Sequence, residues 1–116
     1  VKMTYSGLKI NMGEHKVKRE LSNILTKVND LAHADVEGLH VAEQSYGNSW
    51  KQRGGTGAFM MLARKWDRIE NQAKKENYDI FETIRKDPRE EGIIDDIRDL
   101  RRYLLLVEAE MLGHDK

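Results

Sequence analysis

Apolar positions recur at helical spacing over three long stretches of the chain. Between residues 16 and 34 they fall on one helix face, and Gly38 beyond them predicts the end of that helix. A second pattern predicts a helix over 58–76 that ends at Asn77, and a third predicts a helix that ends near 112. The three stripes are Val17, Leu21, Ile24, Leu25, Val28, Leu31 and Ala32; Phe59, Leu62, Ala63, Trp66, Ile69 and Ala73; and Ile93, Ile97, Leu100, Leu104, Val107 and Met111.

The segments between these stripes carry turn and capping signals. Residues 39–57 are predicted to be irregular and contain a glycine-rich loop, 46–57, in which Thr56 is a plausible N-cap for the next helix. A short helix is predicted over 78–86. The run 87–90, Asp-Pro-Arg-Glu, then predicts a helix start with Asp as N-cap and Pro at the first helical position.

These patterns together predict one all-α domain over 1–116, a small bundle of three main helices plus a short one. Residues 1–13, which contain two glycines, are expected to form a loose N-terminal arm. The apolar run 104–107 is wider than one small bundle needs, so we expect the bundle to be completed by homo-oligomerisation, as a dimer or a larger assembly.

Composition and charge narrow the function classes. Twenty basic and twenty acidic residues give a formal net charge of zero, so no bulk attraction to nucleic acid is expected. The absence of cysteine excludes disulfides, thiolate metal sites and cysteine nucleophiles. No segment has the apolar length of a membrane span, and 1–13 lacks a signal-peptide pattern. We therefore expect a cytoplasmic protein without a membrane partner.

Two acidic pairs lie beside the apolar stripes of different helices. Asp67 and Glu70 are three residues apart, as are Asp96 and Asp99, so each pair shares a helix face. Antiparallel packing of the two helices would bring the pairs together, and converging carboxylates need a cation to offset their repulsion. Oxygen ligands of this kind suit Mg²⁺ with substrate phosphates. The alternative is that nearby arginines form ordinary surface ion pairs with them.

The glycine-rich loop carries candidate ligand-binding side chains. Lys51 and Arg53 are placed to contact phosphate, and Tyr46 or Trp50 to stack on a base, just before a predicted helix start. The loop has neither the Walker A sequence nor the dinucleotide-binding fingerprint. Alternatively, it is a flexible connection whose aromatic side chains fill the core. Further basic residues either bind phosphate or solvate the helices: Arg64, Lys65, Arg68, Arg98, Arg101 and Arg102.

Three stretches carry a family resemblance that covers residues 46–112. The runs 46–50 (Tyr-Gly-Asn-Ser-Trp), 64–70 (Arg-Lys-Trp-Asp-Arg-Ile-Glu) and 95–104 (Asp-Asp-Ile-Arg-Asp-Leu-Arg-Arg-Tyr-Leu) resemble small phage-associated proteins of the nucleotide-modification-associated type. Those proteins look related to the all-α nucleoside triphosphate pyrophosphohydrolases of the MazG and dUTPase kind. A phage-encoded chain of this kind would work in the host cytoplasm.

The resemblance implies a Mg²⁺-dependent site. Asp67 and Glu70 stand where the family has Glu-x-x-Glu, and Asp96 and Asp99 stand where it has Glu-x-x-Asp. Water activated by the metal would attack the α–β phosphate linkage, with Glu70 as the general base. Asp67 and Asp96 stand where the family has glutamate, so their carboxylates reach about one bond less far toward a metal ion.

Three functions are compatible with these residues. The first is a MazG-like, Mg²⁺-dependent nucleoside triphosphate pyrophosphohydrolase. The second is a non-catalytic phage counter-defence module that binds and sequesters a nucleotide, including a cyclic nucleotide immune signal. The third is a structural helical oligomer, which accounts for the apolar run 104–107 and assigns no chemistry.

Overall fold

The computed structural model describes residues 20–114, and four α-helices hold most of them. No strand occurs in this part of the chain, so the prediction of an all-α bundle with three long helices and a short one is confirmed. Two short 3₁₀ turns, Ser49–Lys51 and Lys74–Glu76, flank the second helix. The predicted loose arm, 1–13, lies outside the described residues. The helices are α1 (Asn23–Tyr46), α2 (Gly54–Ala73), α3 (Ile80–Lys86) and α4 (Ile93–His114).

Helix α1 is longer at its C-terminal end than its sequence predicts. The Ser22 hydroxyl caps its start by accepting a hydrogen bond from the Leu25 N–H (3.3 Å), and it runs to Tyr46. The predictions that Gly38 ends this helix and that 39–46 is irregular are wrong. Gly38 lies inside α1, where the absence of a side chain leaves room for the Arg102 guanidinium of α4. A Cβ at this position would lie 2.4 Å from Arg102 Nη1.

Helix α2 begins earlier than predicted. It starts at Gly54, so Thr56 is not its N-cap and 54–57 is helical rather than loop. Gly54 has φ +75°, a left-handed conformation that favours glycine. The backbone changes direction here, between the 3₁₀ turn and the rest of the helix. At the other end, Asn77 adopts the left-handed conformation (φ 56°), which confirms its predicted position after the helix.

The connection between α3 and α4 departs from the predicted helix start. Residues 87–92 are not helical, and α4 begins at Ile93. Asp87 does not act as the N-cap of an adjacent turn. Its carboxylate instead accepts hydrogen bonds from the Ile93 N–H (2.7 Å) and from the N–H and guanidinium of Arg89. The chain bends at 90–91, between these two partners.

Helices α2 and α4 form the main packed pair, and they run antiparallel. Ion pairs join the middle of α2 to the start of α4, while Leu62 of α2 and Val107 of α4 line one cavity near the other ends. The buried apolar side chains of the described residues are Ile69, Ala73 and Ile93. By contrast, α1 packs loosely on the other helices, and its stripe is exposed. None of the described helices is long and apolar enough to span a membrane.

Candidate functional site

An open cavity of about 430 Å³ lies between the turn after α1, the first turns of α2 and the C-terminal half of α4. This volume is in the range of small-molecule sites, roughly 300–1,000 Å³. Trp50 and Phe59 are its aromatic lining residues, and Lys51 is its cation. The other lining residues are Gly54, Gly55, Ala58, Leu62, Val107, Glu110 and Met111. The cavity therefore combines an apolar, aromatic wall with a small charged area.

The charged area is an ion pair across the cavity. Lys51 Nζ lies 2.9 Å from Glu110 Oε1, and both side chains are about a third exposed. An anionic ligand would have to compete with this carboxylate for the ammonium group. Nearby, Gly54 and Gly55 present backbone without side chains, in the first turn of α2 where helix N–H groups have no intrahelical acceptor. No side chain caps this helix end.

The structure brings only part of the predicted loop site together. Trp50 and Lys51 line the cavity, as the ligand-binding interpretation of the loop requires. Tyr46 and Arg53 are exposed and are not among the cavity-lining residues. Phe59, which sequence reasoning treated as core, is a lining residue and largely exposed. Its signal was its position one turn after the glycine-rich segment.

The acidic residues of α4 meet basic residues of α2. Asp96 is buried (3% exposed) and accepts a hydrogen bond from Arg68 Nε (2.9 Å). Lys65 Nζ lies 3.0 Å from Asp99 Oδ2 and 4.0 Å from Asp96 Oδ1. Arg98 pairs with Asp95 (3.0 Å) on its own helix and reaches Asp99 (3.6 Å). The antiparallel packing that would join the acidic pairs thus joins carboxylates to cations.

The acidic pair of α2 lies elsewhere. Asp67 is exposed, and it shares a shallow surface with Glu70 and Asn71 of the same helix and with Lys74 of the following 3₁₀ turn. The reason is rotation: successive residues of an α-helix differ by about 100°, so when Lys65 and Arg68 face α4, Asp67 is directed away from it. Sequence reasoning placed the right helices together and chose the wrong face of α2.

These positions do not fit the Mg²⁺ site that the resemblance implies. Within residues 20–114 no group of three or more His, Asp or Glu side chains is placed to hold a metal ion. Arg68 and Lys65 already neutralise Asp96 and Asp99. One atom stands out, since Asp96 Oδ2 is buried and has no hydrogen-bond partner among the described residues. A lone carboxylate oxygen next to two cations is a poor metal ligand.

The most enclosed ionic cluster was missed at the sequence level. Asp35 of α1 is 1% exposed and accepts two hydrogen bonds from Arg101 (2.6 and 2.7 Å) and one from Arg102 Nε (2.8 Å). Arg102 Nη2 also donates to the Ala34 carbonyl (3.2 Å). We call Asp35, Arg101 and Arg102 the α1 clamp. The available signal was that Asp35 follows Leu31 by four residues and so continues an apolar stripe.

Electrostatics reinforce the α1 clamp. Hydrogen bonds from Arg101 hold the pKa of Asp35 below its usual value, against the opposing effect of burial and with a further contribution from Arg102. The same bonds raise the pKa of Arg101. Arg102, proposed from sequence as a phosphate contact, is therefore engaged in holding α1. Arg64, another such candidate, is exposed on α2 and does not line the cavity.

None of the proposed metal-binding carboxylates lines the cavity. The last residue of α2 that does is Leu62, and Asp67 is five residues further along the same helix. At a rise of 1.5 Å per residue this is about 7.5 Å along the axis, and Asp67 is directed away from α4. The walls of the cavity therefore include neither these carboxylates nor Glu70.

Comparison with known proteins gives this chain no family assignment: no protein-family model, curated protein or solved structure matches it.

Proposed function

We propose that the protein is a nucleotide-binding module that holds its ligand without turning it over. The observation that carries this proposal is the cavity beside the 3₁₀ turn, where Trp50, Phe59 and Lys51 line one space of nucleotide size. Every base has a flat face that stacks on aromatic side chains, and an ammonium group attracts phosphate. The resemblance to nucleotide-modification-associated phage proteins points to the same class of ligand.

The separation of the cavity from the acidic residues favours binding over hydrolysis. A pyrophosphohydrolase needs its nucleophilic water and metal ions at the phosphates. In this chain the carboxylates proposed for that role lie outside the lining of the cavity, and those of α4 are paired with Lys65 and Arg68. The second of the three functions, sequestration of a nucleotide, needs only the cavity and its cation.

Binding involves an exchange of partners at Lys51. In the free protein its ammonium group faces Glu110 at 2.9 Å, and a ligand phosphate would take that place. The carboxylate of Glu110 would then repel the anion. We therefore expect Glu110→Gln to tighten phosphate binding several-fold, whereas an uncharged ligand that occupies only the aromatic wall should be indifferent to the change.

Tryptophan fluorescence tests the proposal directly. The chain contains two tryptophans, so a Trp66→Phe background leaves Trp50 as the reporter. Titration with mononucleotides, nucleoside triphosphates and cyclic dinucleotides should quench this signal with at least one of them. Stacking contributes about 1–3 kcal/mol per base, so Trp50→Ala should weaken that binding roughly 5- to 150-fold, measured by calorimetry.

Matched variants separate the site from general effects. Lys51→Ala should weaken binding about tenfold, while Lys27→Ala, an exposed lysine of α1, should leave it unchanged. The released nucleotide should be chemically intact by chromatography. If no nucleotide quenches Trp50, or if the Lys51 and Lys27 variants behave alike, the proposal is wrong.

Magnesium-dependent hydrolysis is the competing candidate, and the positions of the carboxylates count against it. The Asp96 oxygen without a hydrogen-bond partner belongs to a carboxylate already paired with Arg68, and among the described residues no further carboxylates join it to hold a metal ion. Under this candidate, Mg²⁺ promotes release of pyrophosphate from a nucleoside triphosphate, and Asp96→Asn and Glu70→Gln abolish the release while circular dichroism stays unchanged. Breakdown that survives both substitutions would count against it.

A further inference from the structure

The N-terminal half of α1 and the segment just before it present an apolar stripe that no described residue covers. We call it the α1 stripe: Leu21, two residues before the helix, and Ile24, Leu25, Val28 and Leu31 within it are each more than one third exposed. Its three- and four-residue spacing continues through Asp35 and Gly38, both of which contact arginines of α4. The same face of α1 therefore contacts α4 in the second half of the helix and is exposed in the first half.

A second apolar row meets the α1 stripe at the α1 clamp. On α4, Ile97, Leu104 and Leu105 lie on the same side as Arg101 and line a shallow recess with it. Arg101 also binds Asp35, which follows Leu31 by one helical turn. The α1 stripe and the α4 row thus join at Arg101 and form one surface with two arms.

We propose that a second copy of this chain covers this surface, its own α1 stripe packing against that of the first copy. Among residues 20–114 the buried apolar side chains are Ile69, Ala73 and Ile93, which is a small core for four ordered helices. A partner that covers the α1 stripe would therefore add to the stability of these helices, and another copy is present wherever the chain is made.

Surface charge also fits a second copy. The segment that carries the α1 stripe holds Glu20, Lys27 and Asp30, so neither sign dominates, and the whole chain has a formal net charge of zero. Two identical neutral chains do not repel each other. A strongly acidic or basic partner would find no large excess of opposite charge around this stripe. A two-fold interface requires only one self-complementary patch, which this surface supplies.

The extent of the surface is consistent with a stable dimer. A specific interface typically buries about 800 Å² on each partner. The helical part of the α1 stripe, 24–31, spans about two turns of a single helix, which falls short of that area. The α4 row of Ile97, Leu104 and Leu105 extends the surface at the α1 clamp. We therefore expect both arms to be covered, with the α1 stripe as the more sensitive part.

Light scattering after size exclusion tests this proposal with a matched pair of variants. Val28 lies in the α1 stripe and is 51% exposed, whereas Val41 lies on another side of the same helix and is 61% exposed. The unmodified chain should elute at twice its 13.5-kDa mass, or a larger even multiple. Val28→Asp should shift it to the monomer mass or unfold it, and Val41→Asp should do neither. Equal behaviour of the two variants would overturn the proposal.

The concentration dependence of thermal unfolding keeps the test decisive if Val28→Asp fails to fold. The Tm of a dimer that melts to monomers rises with protein concentration. A folded monomer with a constant Tm would overturn the proposal, and would indicate that another part of the same chain covers the α1 stripe. A chain that is insoluble alone and rescued only by a different protein would overturn it as well. Nucleotide quenching of Trp50 is measured separately, so neither result decides the other.

Discussion

Helix α1 and the α2–α4 pair are held to the molecule by different means. The α2–α4 contact runs along both helices and combines buried Ile69, Ala73 and Ile93 with ion pairs at its edge. The contact of α1 is concentrated at one acidic side chain, Asp35, and two arginines. Apolar contacts stabilise a packed pair without requiring one geometry, whereas hydrogen-bonded ion pairs fix the relative position of the groups that they join. The first arrangement provides cohesion and the second provides alignment.

This difference predicts how each region responds to damage. A buried ion pair contributes little net free energy against an apolar replacement, because both charges lose water, but removal of one partner leaves the other charge stranded. The α1 clamp should therefore be intolerant of single substitutions. The α2–α4 pair should instead lose stability in proportion to the apolar volume removed.

The start of α4 gives the largest expected effect. Ile93 is 1% exposed, and its neighbour Ile94 is 56% exposed. Ile93→Ala should lower the free energy of unfolding by about 4 kcal/mol, since it leaves a cavity in a small core, and Ile94→Ala by less than about 0.5 kcal/mol. Urea unfolding followed by circular dichroism measures both. Similar losses for the two variants would mean that the burial of Ile93 is not what stabilises the α2–α4 pair.

The α1 clamp comes second. Asp35→Ala strands Arg101 and Arg102, so the free energy of unfolding should fall by about 3 kcal/mol, and limited proteolysis should cut α1 first. The control is Asp30→Ala, an exposed aspartate on the same helix, which should be nearly neutral. Protection of α1 that persists in the Asp35→Ala variant would show that another contact holds this helix.

Acid should weaken the α1 clamp gradually. Arg101 and Arg102 lower the pKa of Asp35 below 3.8, so the folded state binds this proton less readily than the unfolded chain does. The resulting stabilisation is complete above about pH 4–5 and is lost as the pH falls through the lowered folded-state pKa. Asp87, whose pKa is lowered by bonds from Arg89 and Ile93, behaves in the same direction.

Denaturant titrations at about pH 6 and pH 3 measure this dependence. Asp35→Asn should be less stable than the unmodified chain at the higher pH and should lose less stability on acidification, because the titrating group is gone. Identical slopes for the two proteins would show that Asp35 contributes no pH dependence.

The smallest effect concerns Gly38, and its sign depends on Arg102. Alanine favours helix over glycine by about 1 kcal/mol, but the added Cβ would collide with the Arg102 guanidinium. Gly38→Ala should therefore stabilise an Arg102→Ala background by about that amount, and should stabilise the unmodified chain less or destabilise it. A double-mutant cycle by urea unfolding measures the difference. An additive cycle would mean that the close approach carries no energy.

Much of the fold could be predicted because it depends on local periodicity. The apolar spacing placed α2, α3 and the end of α4 to within a few residues, and Asn77 was recognised from its chemistry. Gly38 was misread because a glycine marks either a helix end or a close approach, and only the partner from α4 distinguishes them. The Asp-Pro-Arg-Glu run was misread because the Asp87 carboxylate accepts from an N–H six residues away, at the start of α4, rather than from the adjacent turn.

The candidate site was predictable only where it is local. Trp50 and Lys51 were identified because the turn that carries them is short and precedes a helix. The acidic pairs were misjudged because an apolar stripe does not determine which of the polar residues beside it faces the neighbouring helix. In the structure Arg68, and not Asp67, faces Asp96. The α1 clamp joins positions 66 apart, and local spacing has no information on such a distance.

The same separation has a consequence for the order of folding. The turn that Asp87 fastens closes over six residues, and such short loops form far faster than long ones. The α3–α4 unit can therefore assemble early, while α1 must wait for Arg101 and Arg102. During synthesis α1 leaves the ribosome before α4, which carries the two arginines that bind Asp35. The α1 stripe therefore stays exposed until α4 has been made. Nascent copies translated from one messenger lie close together during this time.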